Sequence, residues 1–387
     1  METRKLYYAD CHTRTFSATV LSCEKTEKGY EVILDQTAFY PEGGGQACDM
    51  GTLGNAAVLD VREKGEEIVH LCDQALDAGS LVAGVIDWER RFDLMQQHAG
   101  EHIVSGIIHR IFGYHNVGFH VGSDMVTIDF DGPITMEQLQ QVEKEANEAL
   151  WQNLPIRCYY PTQEELPTVP YRSKKDLPWP VRIVEVPGFD ICACCGVHVK
   201  YTGEIGLIKL FSCVKFHQGV RIEMACGKRA LEHLSRVFEQ NRQVSQAFSA
   251  KILETGEAAR KMNDALAQEK FRAAGLQKQV FASIAENYKD HGDVVYFGHQ
   301  LTPAQVRDLA DAISDTCGGT ASVFSGDDEN GYNMCLVNKK EDVKELGKAI
   351  SDTLCGRGGG KTGYFQGSVK ATKEEICNFF CEKEIVV

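Results

Sequence analysis

Residues 97–108 read Gln97-His98-Ala99-Gly100-Glu101-His102-Ile103-Val104-Ser105-Gly106-Ile107-Ile108. Ile103, Val104, Ile107, Ile108, Ile111 and Phe112 recur at helical spacing, so a helix is expected over residues 90–112. His98 and His102 then leave that helix on one side, about 5–6 Å apart at Cβ, near enough to chelate one ion. Taken alone, the pair reads first as two polar residues on a half-buried helix. A second pair of ligands elsewhere in the chain decides the matter.

The chain has 387 residues, enough for two or three domains, and 43% of them are hydrophobic, enough to build cores. Its formal net charge of −14 argues against general nucleic-acid affinity, because phosphate binding draws on Lys and Arg. Any such binding must use local basic patches. The fifteen cysteines are scattered, and Met1-Glu2-Thr3-Arg4-Lys5 lacks the apolar core of a signal peptide. A reduced, cytoplasmic protein is expected. No run of about 18 apolar residues occurs, so no membrane partner is expected either.

Working outward from the helix, residues 1–88 alternate in short apolar runs such as Tyr30-Glu31-Val32-Ile33-Leu34 and Ala57-Val58-Leu59-Asp60-Val61. That pattern predicts strands closing as a small β-barrel or packing as a sandwich, with the barrel preferred. Within it lies Phe39-Tyr40-Pro41-Glu42-Gly43-Gly44-Gly45-Gln46, whose glycines permit close backbone approach. Residues 89–228 read as an α+β domain containing the histidine helix, a second helix over 136–153 and several strands. Residues 229–290 are rich in Ala, Gln, Glu, Lys and Arg with helical spacing, and predict a helical spacer. The spacer has the pattern of a coiled-coil hairpin broken near Thr255-Gly256. Residues 291–387 alternate strand and helix and predict a small C-terminal α/β domain. This last domain carries a basic glycine loop, Arg357-Gly358-Gly359-Gly360-Lys361. Either the spacer or the C-terminal domain could join two copies as a homodimer.

The second pair is Cys194 and His198, with the same four-residue separation as His98 and His102. Two such pairs make the nitrogen and sulfur set that Zn2+ takes in tetrahedral coordination. Cys192 and Cys195 compete with Cys194 as the thiol ligand, and spacing alone favours Cys194. His109, His115 and His120 read as packing or supporting groups.

The order Phe-Tyr-Pro-Glu-Gly-Gly-Gly-Gln, then His-x-x-x-His, then Cys-x-x-x-His resembles the editing domain of alanyl-tRNA synthetase and its free-standing relatives, the AlaX-type editing proteins. Ile86-Asp87-Trp88-Glu89-Arg90-Arg91 and Thr202-Gly203-Glu204-Ile205-Gly206 support this resemblance. Gly358-Gly359-Gly360-Lys361 and Phe365-Gln366-Gly367 resemble the C-terminal domain of the same synthetase. The resemblance implies a trans-editing hydrolase that deacylates mischarged tRNA(Ala), chiefly seryl and secondly glycyl, in the service of translation fidelity. It implies zinc on His98, His102, Cys194 and His198. It implies substrate contacts at Thr37, as partner of the serine hydroxyl, at Gly43, Gly44, Gly45 and Gln46, and at His120, and tRNA contacts at Arg357 to Lys361. The chain departs from the synthetase pattern in two places. Cys194-Cys195-Gly196-Val197-His198 stands for Cys-Gly-Gly-Thr-His, and His120 stands where a glutamine follows the helix.

Two other readings compete. His98-Ala99-Gly100-Glu101-His102 also fits the HxxEH pattern of a zinc metallopeptidase, with Glu101 as general base. A non-catalytic RNA-binding protein with a structural zinc is the third. Basic residues along the spacer, Lys228, Arg229, Arg236, Arg242, Lys251, Arg260 and Lys261, are candidate RNA contacts with Arg357, Lys361 and Lys370.

Overall fold

The computed structural model describes residues 2–173 and 177–381. The chain divides into two compact units, Met1–Gln243 and Val244–Val387.

In the first unit the alternating N-terminal runs close into a six-stranded barrel. Its order is Thr15–Thr26, Gly29–Leu34, Glu67–Cys72, Ala56–Lys64, Gly51–Leu53 and Leu81–Ile86, with every neighbour antiparallel. Inward residues such as Val20, Val32, Leu34, Leu53, Val58, Val61 and Ile68 form its core. A buried polar pair also sits there. The Nε2 of His70 lies 2.8 Å from the Thr37 hydroxyl, and its Nδ1 lies 3.1 Å from the Val32 carbonyl.

The histidine helix runs Trp88–Phe112. Asp87 starts it by accepting from the Arg90 amide, and Gly113 ends it in the left-handed conformation at φ 73°. Nearly every residue from Arg91 to Ile108 is buried, so this is the central helix of the unit. Leu94, Met95, Ala99, Ile103, Val104, Ile107 and Ile108 belong to its core. A four-stranded antiparallel sheet, ordered Ile208–Phe216, Gly219–Cys226, Val126–Phe130 and Asn116–Val121, shares that core, as does the helix Met136–Trp151. A smaller antiparallel sheet of Arg157–Tyr159, Ile183–Val186 and Asp190–Ala193 delivers the chain to Cys194.

The predicted spacer is helical over Gly227–Ala247 and Thr255–Asn287. The break near Thr255-Gly256 spans the residues just before Thr255, where Ser249 takes φ 50° and a short 3-10 turn covers Ile252–Glu254, and Thr255 and Gly256 open the second helix.

The second unit holds a five-stranded sheet ordered Gly292–Gly298, Gly318–Asp327, Gly331–Val337, Tyr364–Val369 and Arg357–Lys361. Its first pair is parallel around the helix Pro303–Cys317, and the other pairs are antiparallel. The expected strand and helix alternation is therefore interrupted by hairpins. Val294, Val323 and Cys335 pack on one face of the sheet, and Val295, Phe324 and Met334 on the other. The stretch Arg357-Gly358-Gly359-Gly360-Lys361 is not a loop but the edge strand of this sheet. Absent side chains are what let it pair so closely: a Cβ at Gly360 would stand 1.9 Å from the Tyr364 carbonyl oxygen.

Burial pushes His70 down to about 4, so the ring is neutral in the barrel core. The unfolded chain takes up that proton near the ordinary value of 6.5, so the stabilisation is complete above pH 6.5 and is lost as pH falls toward 4. The loss is about 3 kcal/mol. Urea unfolding midpoints are expected to fall across this window, and His70→Asn to lose that part of the slope.

Candidate metal centre

His98 and His102 leave one side of the central helix, each only 2% exposed. Strand Asp190–Ala193 brings Cys194 and His198 up to them, and the ligand atoms of all four residues lie within 4.8 Å of one another. The Cys194 sulfur is 3.4 Å from His98 Nε2 and 3.8 Å from His198 Nε2. A tetrahedral zinc with ordinary bond lengths separates sulfur and nitrogen ligands by about 3.6 Å. The donor set therefore fits that ion in both kind and spacing.

The electrostatics separate the three neighbouring thiols. Burial alone would raise the Cys194 thiol, but the imidazoles of His98 and His198 hold it well below its ordinary range. The Gly196 amide also donates to its sulfur at 3.3 Å. Burial pushes Cys192 up to about 11 and raises Cys195 as well, with the charge on Cys194 adding to the shift at Cys195. Of the three, Cys194 is the thiol whose surroundings favour the thiolate. Burial holds His198 down to about 3, leaving it as the neutral ring that a metal requires.

Groups behind the ligands fix their orientation. His98 Nδ1 lies 2.8 Å from Gln46 Oε1, and His102 Nδ1 lies 2.8 Å from Asp190 Oδ2. Among the described residues, His198 Nδ1 and Gln46 Nε2 are buried without a hydrogen-bond partner. The glycine turn is closed by reciprocal backbone bonds between Gly43 and Gln46, at 3.0 and 3.1 Å. It lies against the cysteine loop: a Cβ at Gly44 would be 3.2 Å from the Cys195 sulfur. Gly43, Gly44, Gly45 and Gln46 are thus brought to the cluster.

Within the first unit, Thr37 and His120 lie outside the four-residue cluster. Thr37 is fully buried in the barrel, its hydroxyl donating to neutral His70 and accepting from the Phe39 amide. None of these bonds leads to the metal cluster. His120 is exposed on strand Asn116–Val121, paired in register with Thr127. Strand alternation turns its neighbour Phe119 inward instead, with ring centres 5.1 Å from His98. Arg357 to Lys361 belong to the second unit's sheet edge.

Glu101 does not behave as a free general base. Its Oε1 accepts from the Ser105 hydroxyl at 2.6 Å and from the Asn116 amide. With Cys194 as the fourth member of the cluster, these bonds argue against the peptidase reading.

The sequence reading missed Arg182, which donates to the Cys194 and Gly196 carbonyls at 2.9 and 2.8 Å and stacks over Tyr8. Tyr8 in turn donates to the Cys195 carbonyl at 2.7 Å. The two pin the loop from outside. Most spacer cations proposed as RNA contacts are engaged locally: Arg229 with Asp93, Arg242 with Glu239, Lys251 with Glu254 and Lys261 with Glu257.

Comparison with known proteins extends the geometry. Alanyl-tRNA editing protein Aarsd1-A of Xenopus laevis is 29% identical over 384 residues, covering 94% of this chain and 93% of that protein. The mouse Aarsd1 protein is 28% identical, with the same shares covered. Over nearly its whole length, this chain is similar to proteins named as alanyl-tRNA editing proteins. An alanine–tRNA ligase of Thermofilum pendens is 34% identical over 96% of this chain, which spans 43% of that enzyme. Family models match as tRNA synthetases class II (A) at residues 3–90, threonyl and alanyl tRNA synthetase second additional domain at 181–223, and DHHA1 domain at 291–383. These ranges contain the glycine turn and the Cys194–His198 loop but not His98 or His102. Folding is what joins the two halves of the cluster.

Gly196 meets this cluster at the closest quarters, since a Cβ there would stand 2.2 Å from His98 Cε1 and 2.5 Å from its Nδ1. Gly196→Ala is therefore expected to displace His98 and weaken Co2+ binding about tenfold or more, read from its absorption on titration.

Proposed function

We propose that this chain is a trans-editing hydrolase that cleaves the ester of serine, and secondly of glycine, wrongly attached to tRNA(Ala). The observation that carries this reading is the buried cluster of His98, His102, Cys194 and His198 beneath the Gly43–Gln46 turn, in a relative of alanyl-tRNA editing proteins. In this reading the four residues hold zinc. When bound, the ion supplies Lewis acidity or an activated water for ester hydrolysis.

The chain's own residues set the stage for that chemistry. Gln46 and Asp190 hold the two helix imidazoles by Nδ1, leaving Nε2 for the ion. Arg182 and Tyr8 keep the cysteine loop from moving, and the glycine turn lets backbone lie close to it. A division of labour follows, with residues 1–88 and 89–228 carrying the hydrolytic site, 229–290 acting as spacer, and 291–387 contacting the tRNA. Exposed Arg357 and Lys361 at the sheet edge are the proposed phosphate contacts. No helix among the described residues is long and apolar enough to cross a membrane, and all fifteen cysteines are free. A reducing, cytoplasmic setting suits such a chain.

The direct test is release of labelled serine from seryl-tRNA(Ala), with alanyl-tRNA(Ala) and a peptide panel alongside. Hydrolysis of the seryl ester with the alanyl ester spared is expected. A zinc-loaded protein that binds the tRNA and leaves the seryl ester intact would be an RNA-binding protein with a structural metal. His102→Ala is expected to abolish zinc retention and hydrolysis together, and stoichiometric zinc in that variant by elemental analysis would refute the ligand set. Replacing both Arg357 and Lys361 by alanine is expected to lower the salt slope of tRNA binding by about 1–2 while leaving hydrolysis at saturating substrate unchanged.

A further inference from the structure

His102 belongs to two overlapping groups of potential ligands. Besides the four-residue cluster, His102, Asp190 and Cys192 bring their ligand atoms within 4.8 Å of one another, all buried. Such a trio invites assignment as a second metal position. The charge balance argues otherwise. Arg172 sets Nε 2.7 Å from Asp190 Oδ1 and Nη2 2.9 Å from Oδ2, a two-pronged contact that places a fixed cation where a second metal would stand.

We propose that Asp190, clamped by Arg172, is a positioning residue that holds His102 with its proton on Nδ1 and its Nε2 directed to the metal. The inference rests on the four-residue cluster holding zinc, as proposed above. The Nδ1–Oδ2 separation is 2.8 Å, and the two side chains are only 3% and 1% exposed, so no water competes for either atom. A ring donating from Nδ1 to a carboxylate has one tautomer and one orientation, and a more basic Nε2.

The backbone shows how this contact is built. Gly106 stands one turn beyond His102 on the same helix, and a Cβ there would meet the Phe189 carbonyl oxygen at 2.3 Å and Asp190 Cβ at 2.7 Å. Only a glycine lets strand Asp190–Ala193 come this near. The same short strand runs directly into Cys194, so one element supplies both the acceptor behind His102 and the thiolate in front of it. Arg172 is tied to that strand by its backbone as well: its amide donates to the Ile191 carbonyl at 2.8 Å, and its carbonyl accepts from the Ala193 amide at 2.9 Å. The two helix ligands are therefore not equivalent. His98 leans on the neutral carboxamide of Gln46, while His102 leans on a carboxylate whose charge Arg172 balances.

The test uses the intact chain and needs no tRNA. Zinc affinity is measured by competition with a chromophoric chelator, and ligand geometry by the visible absorption of the Co2+ form. Asp190→Ala is expected to weaken zinc about 10–100-fold and to alter the Co2+ spectrum. Asp190→Asn keeps the volume and an acceptor oxygen, and is expected to lose less affinity and retain the natural spectrum. It also guards against a folding defect in the alanine variant. Cys192→Ala is expected to leave affinity and spectrum unchanged; a large loss there, or two equivalents of tightly bound metal in the natural protein, would overturn the relay in favour of a second site. Natural affinity in both Asp190 variants overturns this inference alone. A natural protein that takes up no zinc overturns the zinc reading and the inference with it.

Discussion

One buried ion pair holds the barrel and the histidine helix in a single frame. Arg91 and Asp49 are both fully buried, and the guanidinium also donates to the Ala38 and Cys11 carbonyls. Asp49 further accepts from the Tyr40 amide. Removing one partner of such a pair strands a charge in the core, at a cost of about 3–5 kcal/mol. Its value here is registration. Arg91 stands two helical turns before His98, and Asp49 three residues after Gln46. The 2.8 Å contact between Gln46 and His98 is inherited from a clamp made beyond both of them.

That frame explains why some of the site was legible in the sequence and some was not. The pairs His98/His102 and Cys194/His198 each lie within five residues, and local spacing announces them. Asp87 and Gly113 likewise mark the ends of the helix in the order that capping chemistry demands. Asp190, Arg172 and Arg182 give no such signal, because their partners are chosen by strand pairing and not by spacing. Phe119 was within reach of the alternation in Asn116–Val121, which turns odd-numbered Phe119 opposite to His120. Thr37 shows what spacing alone leaves out. The motif implies a substrate contact for its hydroxyl, and in the fold that hydroxyl is bonded to His70, thirty-three residues later on the barrel strand Glu67–Cys72.

The choice among Cys192, Cys194 and Cys195 shows how burial and charge act together. All three are desolvated enough to raise the thiol, so burial cannot discriminate between them. What separates Cys194 is the company of imidazoles, and that company exists only because Gly196 leaves room for the His98 ring. Val197, which stands where the synthetase pattern has threonine, is fully buried in the core behind the loop. A residue that looks like a change of chemistry in the motif is an apolar anchor in the fold.

The glycine strand Arg357–Lys361 has a bearing on how the second unit meets other molecules. It is the outermost strand of its sheet, so among the described residues one row of its peptide groups has no strand beside it. Such a row is a template for runaway pairing between molecules. Three successive glycines give an incoming strand no apolar surface to bury, and the cations at each end repel a second copy laid alongside. The strand thus keeps its peptide groups open to solvent while offering little reward for aggregation.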